Sequence, residues 1–158
     1  MSQENLELAQ AVSMAFVNEG DIVALFQDEE RLHRLFPAAH PLFHEDFETV
    51  VRGWPDGERT YAGLVAQRSF WADWLAPWVE YRQEVWKWID LGDRVLLLFH
   101  DYGRRKDSPH EIRGETAGIW TVREGQLVRM EFFLTPAEAF KAAGLEDGEF
   151  PSRFASTS

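Results

Sequence analysis

Residues 112–140 read IRGETAGIWTVREGQLVRMEFFLTPAEAF, two alternating stretches that meet at Glu124-Gly125 and end in Thr135-Pro136-Ala137-Glu138. A glycine after an acidic residue closes a tight hairpin. The Thr-Pro-Ala-Glu run then supplies an N-cap hydroxyl, a proline whose missing N–H costs nothing at a helix start, and a glutamate at the capping-box position. The spacing therefore predicts a β-hairpin running directly into a capped helix from Ala137, with Gly144 as the residue just past its end.

The rest of the chain arranges itself around that unit. Leu6, Ala9, Val12, Ser13, Phe16 and Val17 recur at helical spacing over 5–18, and Gly20 stops the helix. Asp21 offers an N-cap for a second helix carrying Val23, Leu25 and Phe26, expected to run on through the charged residues 28–34 toward Pro37. The segment from Pro37 to Pro41 reads as a loop, and a first strand over 43–53 puts Phe47, Thr49 and Val51 on one face and Asp46, Glu48 and Arg52 on the other. After a turn at 54–57, Tyr61-Ala62-Gly63 leads into a third helix in which Trp71, Trp74, Leu75 and Trp78 form a stripe, ended or kinked by Pro77. An extended stretch over 81–90 turns at Leu91-Gly92-Asp93 into a strand over 95–102. That strand is apolar on both faces, which calls for cover on both sides, by helices on one and by a second subunit on the other. A polar loop over 103–111 precedes the opening hairpin.

The order is helix, helix, strand, helix, four antiparallel strands, helix: an α+β fold in which a curved antiparallel sheet wraps on helices and leaves a blind pocket between its concave face and the first and third helices. At 158 residues this is one domain, set here as 1–145 with a polar tail over 146–158. Twelve Phe, seven Trp and three Tyr exceed what a minimal core needs, and suit a large cavity or a buried interface. A net charge of −11 and a pI near 4.8 argue against nucleic acid or an anionic membrane as partner. With no cysteine there is neither a thiolate nucleophile nor a Cys-based metal site. The N-terminus carries no basic-then-apolar leader and no stretch approaches 18 apolar residues, so the expectation is a soluble, cytoplasmic protein.

Asn18-Glu19-Gly20-Asp21-Ile22, His44-Glu45-Asp46, Tyr61-Ala62-Gly63, Trp71-Ala72-Asp73, Asp90 through Val95, Ile119-Trp120-Thr121 and Glu138 through Leu145 occur in an order that resembles the SnoaL-like branch of the nuclear transport factor 2-like superfamily, over nearly the whole chain. The resemblance implies a cone-shaped α+β barrel of the cystatin-like class, a deep pocket for a small hydrophobic molecule, and commonly a homodimer through the convex sheet face. It implies no single activity, since relatives include polyketide cyclases, ketosteroid isomerases, epoxide hydrolases and dehydratases. One departure is a longer link over 27–42, which bears on the lid and mouth of the pocket.

Isomerase chemistry of the ketosteroid type needs a carboxylate base, a tyrosine and a protonated aspartate. The resemblance places the base at Val51 or its neighbours, the tyrosine at Ser13 and the second acid at Gly118, and none of the three residues is of the kind required. The epoxide-hydrolase pattern falls on Phe99, Asp101 and Phe132, leaving one carboxylate. Asp101 shares a face with Leu97 and Phe99, and a carboxylate against apolar walls is suited to proton transfer; the competing reading is a solvated carboxylate at a strand end. His100 falls on the other face, as an interface or surface histidine. Gly114, Thr116, Gly118 and Trp120 share one face, which is either space for a flat ligand against Trp120 or a site of sheet curvature. Ser13, Val17, Val51, Phe70, Trp74, Leu97, Phe99, Gly118, Trp120, Met130 and Phe132 are thus the candidate ligand-binding residues, with Leu134 beside them, and core packing is the competing role for each. His33, His40 and His44 with Glu45 and Asp46 lack the spacing of a metal site. No metal or organic cofactor is expected. Two function classes remain: an isomerase, cyclase or hydrolase with Asp101 as the acid–base group, or a non-catalytic binding or dimerisation module. Trp86 and Trp88, both on an otherwise polar strand face, favour a homodimer.

Overall fold

The computed structural model describes residues 2–16 and 20–145. Val17 and the 146–158 tail lie outside them. The chain runs α1 Ser2–Phe16, α2 Ile22–Gln27, α3 Glu29–Ala39, a 3-10 turn His40–Leu42, β1 Phe43–Arg52, β2 Arg59–Ala62, α4 Gln67–Leu75, β3 Trp78–Asp90, β4 Arg94–Arg105, β5 Glu111–Arg123, β6 Gln126–Phe133 and α5 Pro136–Ala143. The described residues form a six-stranded, curved and unclosed sheet in the order β2-β1-β6-β5-β4-β3. The four strands β3 to β6 pair as successive antiparallel neighbours, as their hairpin signals require. The sheet is nonetheless mixed, because β1 lies parallel to β6.

The hairpin-to-helix unit forms as its residues dictate. Glu124 and Gly125 both take positive φ at the β5–β6 turn. The Thr135 hydroxyl accepts from the Glu138 N–H at 3.4 Å, and Gly144 closes α5 in the left-handed conformation. Two expectations about the N-terminal half give way. Asp28 takes an extended conformation and its carboxylate caps the Arg31 N–H, so the second helix is two helices with a corner between them. Residues 37–42 are helical rather than a loop: Pro37 forfeits only its own donor, and buried Ala39 anchors the last turn before Pro41 continues it as 3-10. The short β2, too brief to show alternation, adds an edge strand against β1.

Two apolar layers sandwich the sheet. The concave face packs Val95, Leu97, Phe99, Trp120 and Phe132 against Ala9 and Val12 of α1, Ile22 and Val23 of α2, and Phe70 and Trp71 of α4. The convex face packs Leu96, Leu98, Ala117, Ile119 and Phe133 against Ala139 and Phe140. The cover expected from a second subunit over Leu96 and Leu98 is thus supplied by α5 of the same chain. A bulge in β3 between Val85 and Lys87 also separates Trp86 from Trp88. Trp88 joins the concave core; Trp86 joins the convex layer and stacks on His100 at 5.0 Å and 12°. His100 is fully buried there rather than on the surface, with Nε2 3.9 Å from Glu115. No helix among the described residues is long and apolar enough to cross a membrane.

Candidate functional site

Asp21 sets the near end of the site. Its carboxylate caps α2 by accepting from the Val23 N–H and also accepts from the Tyr81 N–H, both at 3.0 Å, which pins the start of α2 to β3. Tyr81 is thereby aimed inward across β4, where the Tyr81 hydroxyl donates to Asp101 Oδ1 at 2.6 Å. From the other side, the Thr116 hydroxyl of β5 donates to Asp101 Oδ2 at 2.7 Å. The Gln83 amide nitrogen lies 3.4 Å from both hydroxyl oxygens, so it occupies their acceptor sides and leaves their protons for Asp101.

Asp101 is 7% exposed, so it is neither solvated nor at a strand end: β4 continues to Arg105. Burial pushes its carboxyl up from 3.8 to about 6, against the hydrogen bonds from Tyr81, Thr116 and Gln83, which favour the ionised form. The same burial, with the Asp101 charge beside it, holds the Tyr81 phenol well above its ordinary value. At neutral pH the pair is a carboxylate held by a neutral phenol. A group titrating near 6 can take up and give back a proton at physiological pH.

Asp101 opens onto a cavity of about 380 Å³. Trp54, Trp74, Trp78 and Tyr81 form its aromatic walls, Asp73 and Thr116 line it as polar residues, and Ile112 and Leu134 border it. Trp74 meets Tyr81 edge to face at 6.4 Å and lies tilted against Trp54 at 6.1 Å, and Trp78 lies 5.4 Å from Tyr81. Gly103 allows this arrangement: a Cβ there would fall 2.5 Å from the Trp78 ring. At the exposed end, Asp73 accepts from the Tyr61 hydroxyl at 2.6 Å and pairs with Arg59 at 3.5 Å.

Of the candidate site residues, Trp74 and Asp101 reach this cavity, as do Leu134 and, from the face shared with Gly118, Gly114 and Thr116. Phe70, Phe99, Trp120 and Phe132 do not line it, because they fill one another's space: Phe132 stacks on Phe70 at 4.9 Å and on Phe99 at 6.2 Å, with Trp120 edge-on at 6.5 Å. Ser13, Val51, Leu97 and Met130 are buried in the same concave layer, away from the cavity. Gly118 likewise faces no open space, since a Cβ there would meet Trp120 at 3.0 Å and Phe99 at 3.3 Å. The deep end of the cone is thus plugged by aromatics, and the open space lies toward its mouth. The longer 27–42 segment becomes α3 and its 3-10 turn, burying Leu32 and Ala39, and it does not line the cavity. Trp54, Trp78 and Tyr81 are the residues the sequence reasoning missed as site residues. Tyr81 had a signal in the polar 80, 82 and 84 that flank it and Gln83. Among the described residues no group of three or more His, Asp or Glu is placed to hold a metal ion.

Solved structures of similar shape share the α+β architecture. TerC, co-crystallised with polyporic acid, superposes with a TM-score of 0.60 at 20% identity, over 89% of this chain and 98% of TerC. An NTF2-like protein of unknown function from Burkholderia pseudomallei K96243 gives 0.61 at 16%, over 87% and 95%. A protein of ketosteroid isomerase-like fold from Catenulispora acidiphila DSM 44928, in complex with trimethylamine, gives 0.53 at 18%, over 82% and 93%. At these identities the likeness is one of fold. No curated protein matches this chain by sequence. The SnoaL-like domain model matches residues 20–130, which hold the whole Asp21–Tyr81–Asp101–Thr116 arrangement, and the chain belongs to the SnoaL-like domain family.

Proposed function

We propose that this protein binds a small, mostly hydrophobic molecule in the 380 Å³ cavity and moves a proton on it through Asp101, in an isomerase- or cyclase-type reaction. The observation that carries the reading is a buried carboxyl on the wall of an aromatic cavity, titrating near 6. In such a step the Asp101 carboxylate takes a proton from a carbon next to a carbonyl, and the electron pair moves onto the carbonyl oxygen as an enolate. The protonated Asp101 then returns the proton to another carbon, so nothing is oxidised or reduced. Neighbours of the same fold that hold polyporic acid or trimethylamine support the view that such a cone accepts small organic molecules.

The test is a thermal-shift screen of flat ketones, lactones, epoxides and phenols with each mixture followed for conversion. For any compound converted, Asp101→Asn should lower kcat by about 10² or more while leaving its Kd within about threefold. An unchanged kcat would remove Asp101 from the chemistry. A binding module without chemistry is the second reading, favoured by the fact that both Asp101 oxygens already accept hydrogen bonds. It predicts thermal shifts with no conversion of any ligand. Homodimerisation in the cytoplasm is a separate proposal, resting on the family and on the long edge strand β3. A monomeric mass in sedimentation at micromolar concentration would refute the dimer.

A further inference from the structure

The walls of the cavity carry a charge preference as well as a shape. Among the described residues that line it there is no lysine, arginine or histidine, whereas Asp73 stands at its exposed end and Asp101 on its buried wall. Glu115 also borders the cavity, but its carboxylate is turned through the sheet toward His100. Tyr81 is the other titratable group facing Asp101, and it is neutral. The remaining walls are indole and phenol rings set at angles to one another: Trp54 to Trp74 at 36°, Trp78 to Tyr81 at 50°, Trp74 to Tyr81 at 78°. Ring faces are the negative side of an aromatic quadrupole, so rings converging at such angles attract a positive charge placed between them.

Two of the rings already do this within the protein. The Arg59 guanidinium lies 4.8 Å over Trp54 and that of Arg105 lies 5.4 Å over Trp78, each using one of the ring's two faces. Arg59 does not cancel the acidic character of the mouth, because it is shared between Asp56 and Asp73. Asp56, Asp73 and Asp101 stand against Arg59 and Arg105, three carboxylates to two guanidiniums, so the cavity and its rim keep a net negative charge. The −11 charge of the chain adds a long-range bias of the same sign.

We infer that the ligand of this cavity is an organic ammonium ion, its positive nitrogen seated among Trp54, Trp74 and Trp78 near Asp73 while its apolar body extends toward Asp101. The inference rests on the proposed reading of the cavity as the ligand site and names the class of molecule it takes. A bulky alkylated nitrogen suits the site better than a bare ammonium, because rings supply attraction without the hydrogen bonds a primary amine would leave unmade.

Choline and 3,3-dimethylbutan-1-ol test this directly, since they share a shape and differ in the charge of one central atom. Binding of each to the intact protein is measured by calorimetry or by ligand-observed NMR at low salt. Choline is expected to bind about tenfold more tightly than the alcohol, a preference within the cation–π range. Asp73→Asn and Trp54→Leu alter partly exposed residues and should each reduce that preference about threefold or more, with the affinity of the alcohol little changed. Equal binding of the two, tighter binding of the alcohol, or binding of neither overturns the inference. So does a choline preference indifferent to both substitutions, since the cation would then sit elsewhere. The acid–base reading stands or falls separately, on the kcat of Asp101→Asn.

Discussion

Folding buries Asp101 before it can ionise freely, and that has a measurable consequence for stability. The carboxyl stands at about 6 in the folded chain, against an ordinary 3.8, with burial as the leading cause. Below pH 3.8 it is protonated in both states and contributes no pH dependence. Between about 4 and 6 the unfolded chain gives up this proton first, so it binds fewer protons than the folded chain, and stability falls as pH rises. Above about 6 both states are ionised and the full cost is present, about 3 kcal/mol at 1.36 kcal/mol for each pH unit between the two values. Asp101→Asn cannot ionise and escapes this cost. Its own penalty, an amide that cannot accept from both the Tyr81 and Thr116 hydroxyls, is about 1 kcal/mol and independent of pH. Because many other carboxylates titrate in the same range, the quantity to follow is the stability of the variant minus that of the unsubstituted protein. Urea unfolding at about pH 4 and about pH 7.5 should show that difference moving in favour of the variant by about 2 to 3 kcal/mol, or about 4 to 12 °C in Tm for a domain this size. A difference constant to about 0.5 kcal/mol would mean that Asp101 titrates like an exposed carboxylate, and the argument for its role in proton transfer would fail with it.

Tyr81→Phe removes a hydrogen bond that favours the ionised carboxylate, so the acid limb of any pH–rate profile should move to higher pH; a profile unmoved would show that Tyr81 does not set the Asp101 pKa. The same variant should lose about 1.5 to 3 kcal/mol in urea unfolding at pH 7.5, the usual value of a hydrogen bond to a charged group. Gly103→Ala puts a methyl 2.5 Å from the Trp78 ring, which must swing aside; a cost of about 1 to 3 kcal/mol and a changed tryptophan emission are expected, and unaltered emission would contradict the packing described. Phe132→Ala should cost about 3 to 5 kcal/mol by urea unfolding, because its ring is stacked between Phe70 and Phe99; a loss under about 1 kcal/mol would mean that the deep end of the cone is open rather than filled.

What the sequence disclosed and what it hid divide along one physical line. Punctuation and periodicity are local, and they suffice for the hairpin at Glu124-Gly125, the cap at Thr135, the inward face shared by Leu97, Phe99 and Asp101, and the α+β layering. Whether an inward apolar residue fills a core or lines a cavity is not local: Phe70, Phe99, Trp120 and Phe132 stand on the expected face, yet they consume one another's space and leave the cavity to Trp54, Trp74 and Trp78. Register is not local either, and it decides the site. Counting straight back from the Leu91–Asp93 turn pairs Glu84 with Asp101, which would turn Trp86 and Glu84 inward and Tyr81 out. The observed partner of Asp101 is Gln83, because the bulge between Val85 and Lys87 inserts one residue into β3. With a side-chain period of two, that single residue exchanges the faces of the residues before it as far back as Glu80, where a second register shift follows. It sends Trp86 to the convex layer against His100, turns Arg82 and Glu84 away from the cavity, and brings Tyr81 and Gln83 to Asp101. The carboxyl that the sequence marks and the phenol and amide that control its protonation therefore meet only through a backbone irregularity that no pattern of apolar residues announces. Deleting Trp86 would remove the bulge yet keep Gln83 opposite Asp101, because Val85 opposite Phe99 would then run directly into Lys87 opposite Leu98; only a strand that kept Trp86 in regular pairing would put Glu84 there, two carboxylates with one site to ionise in.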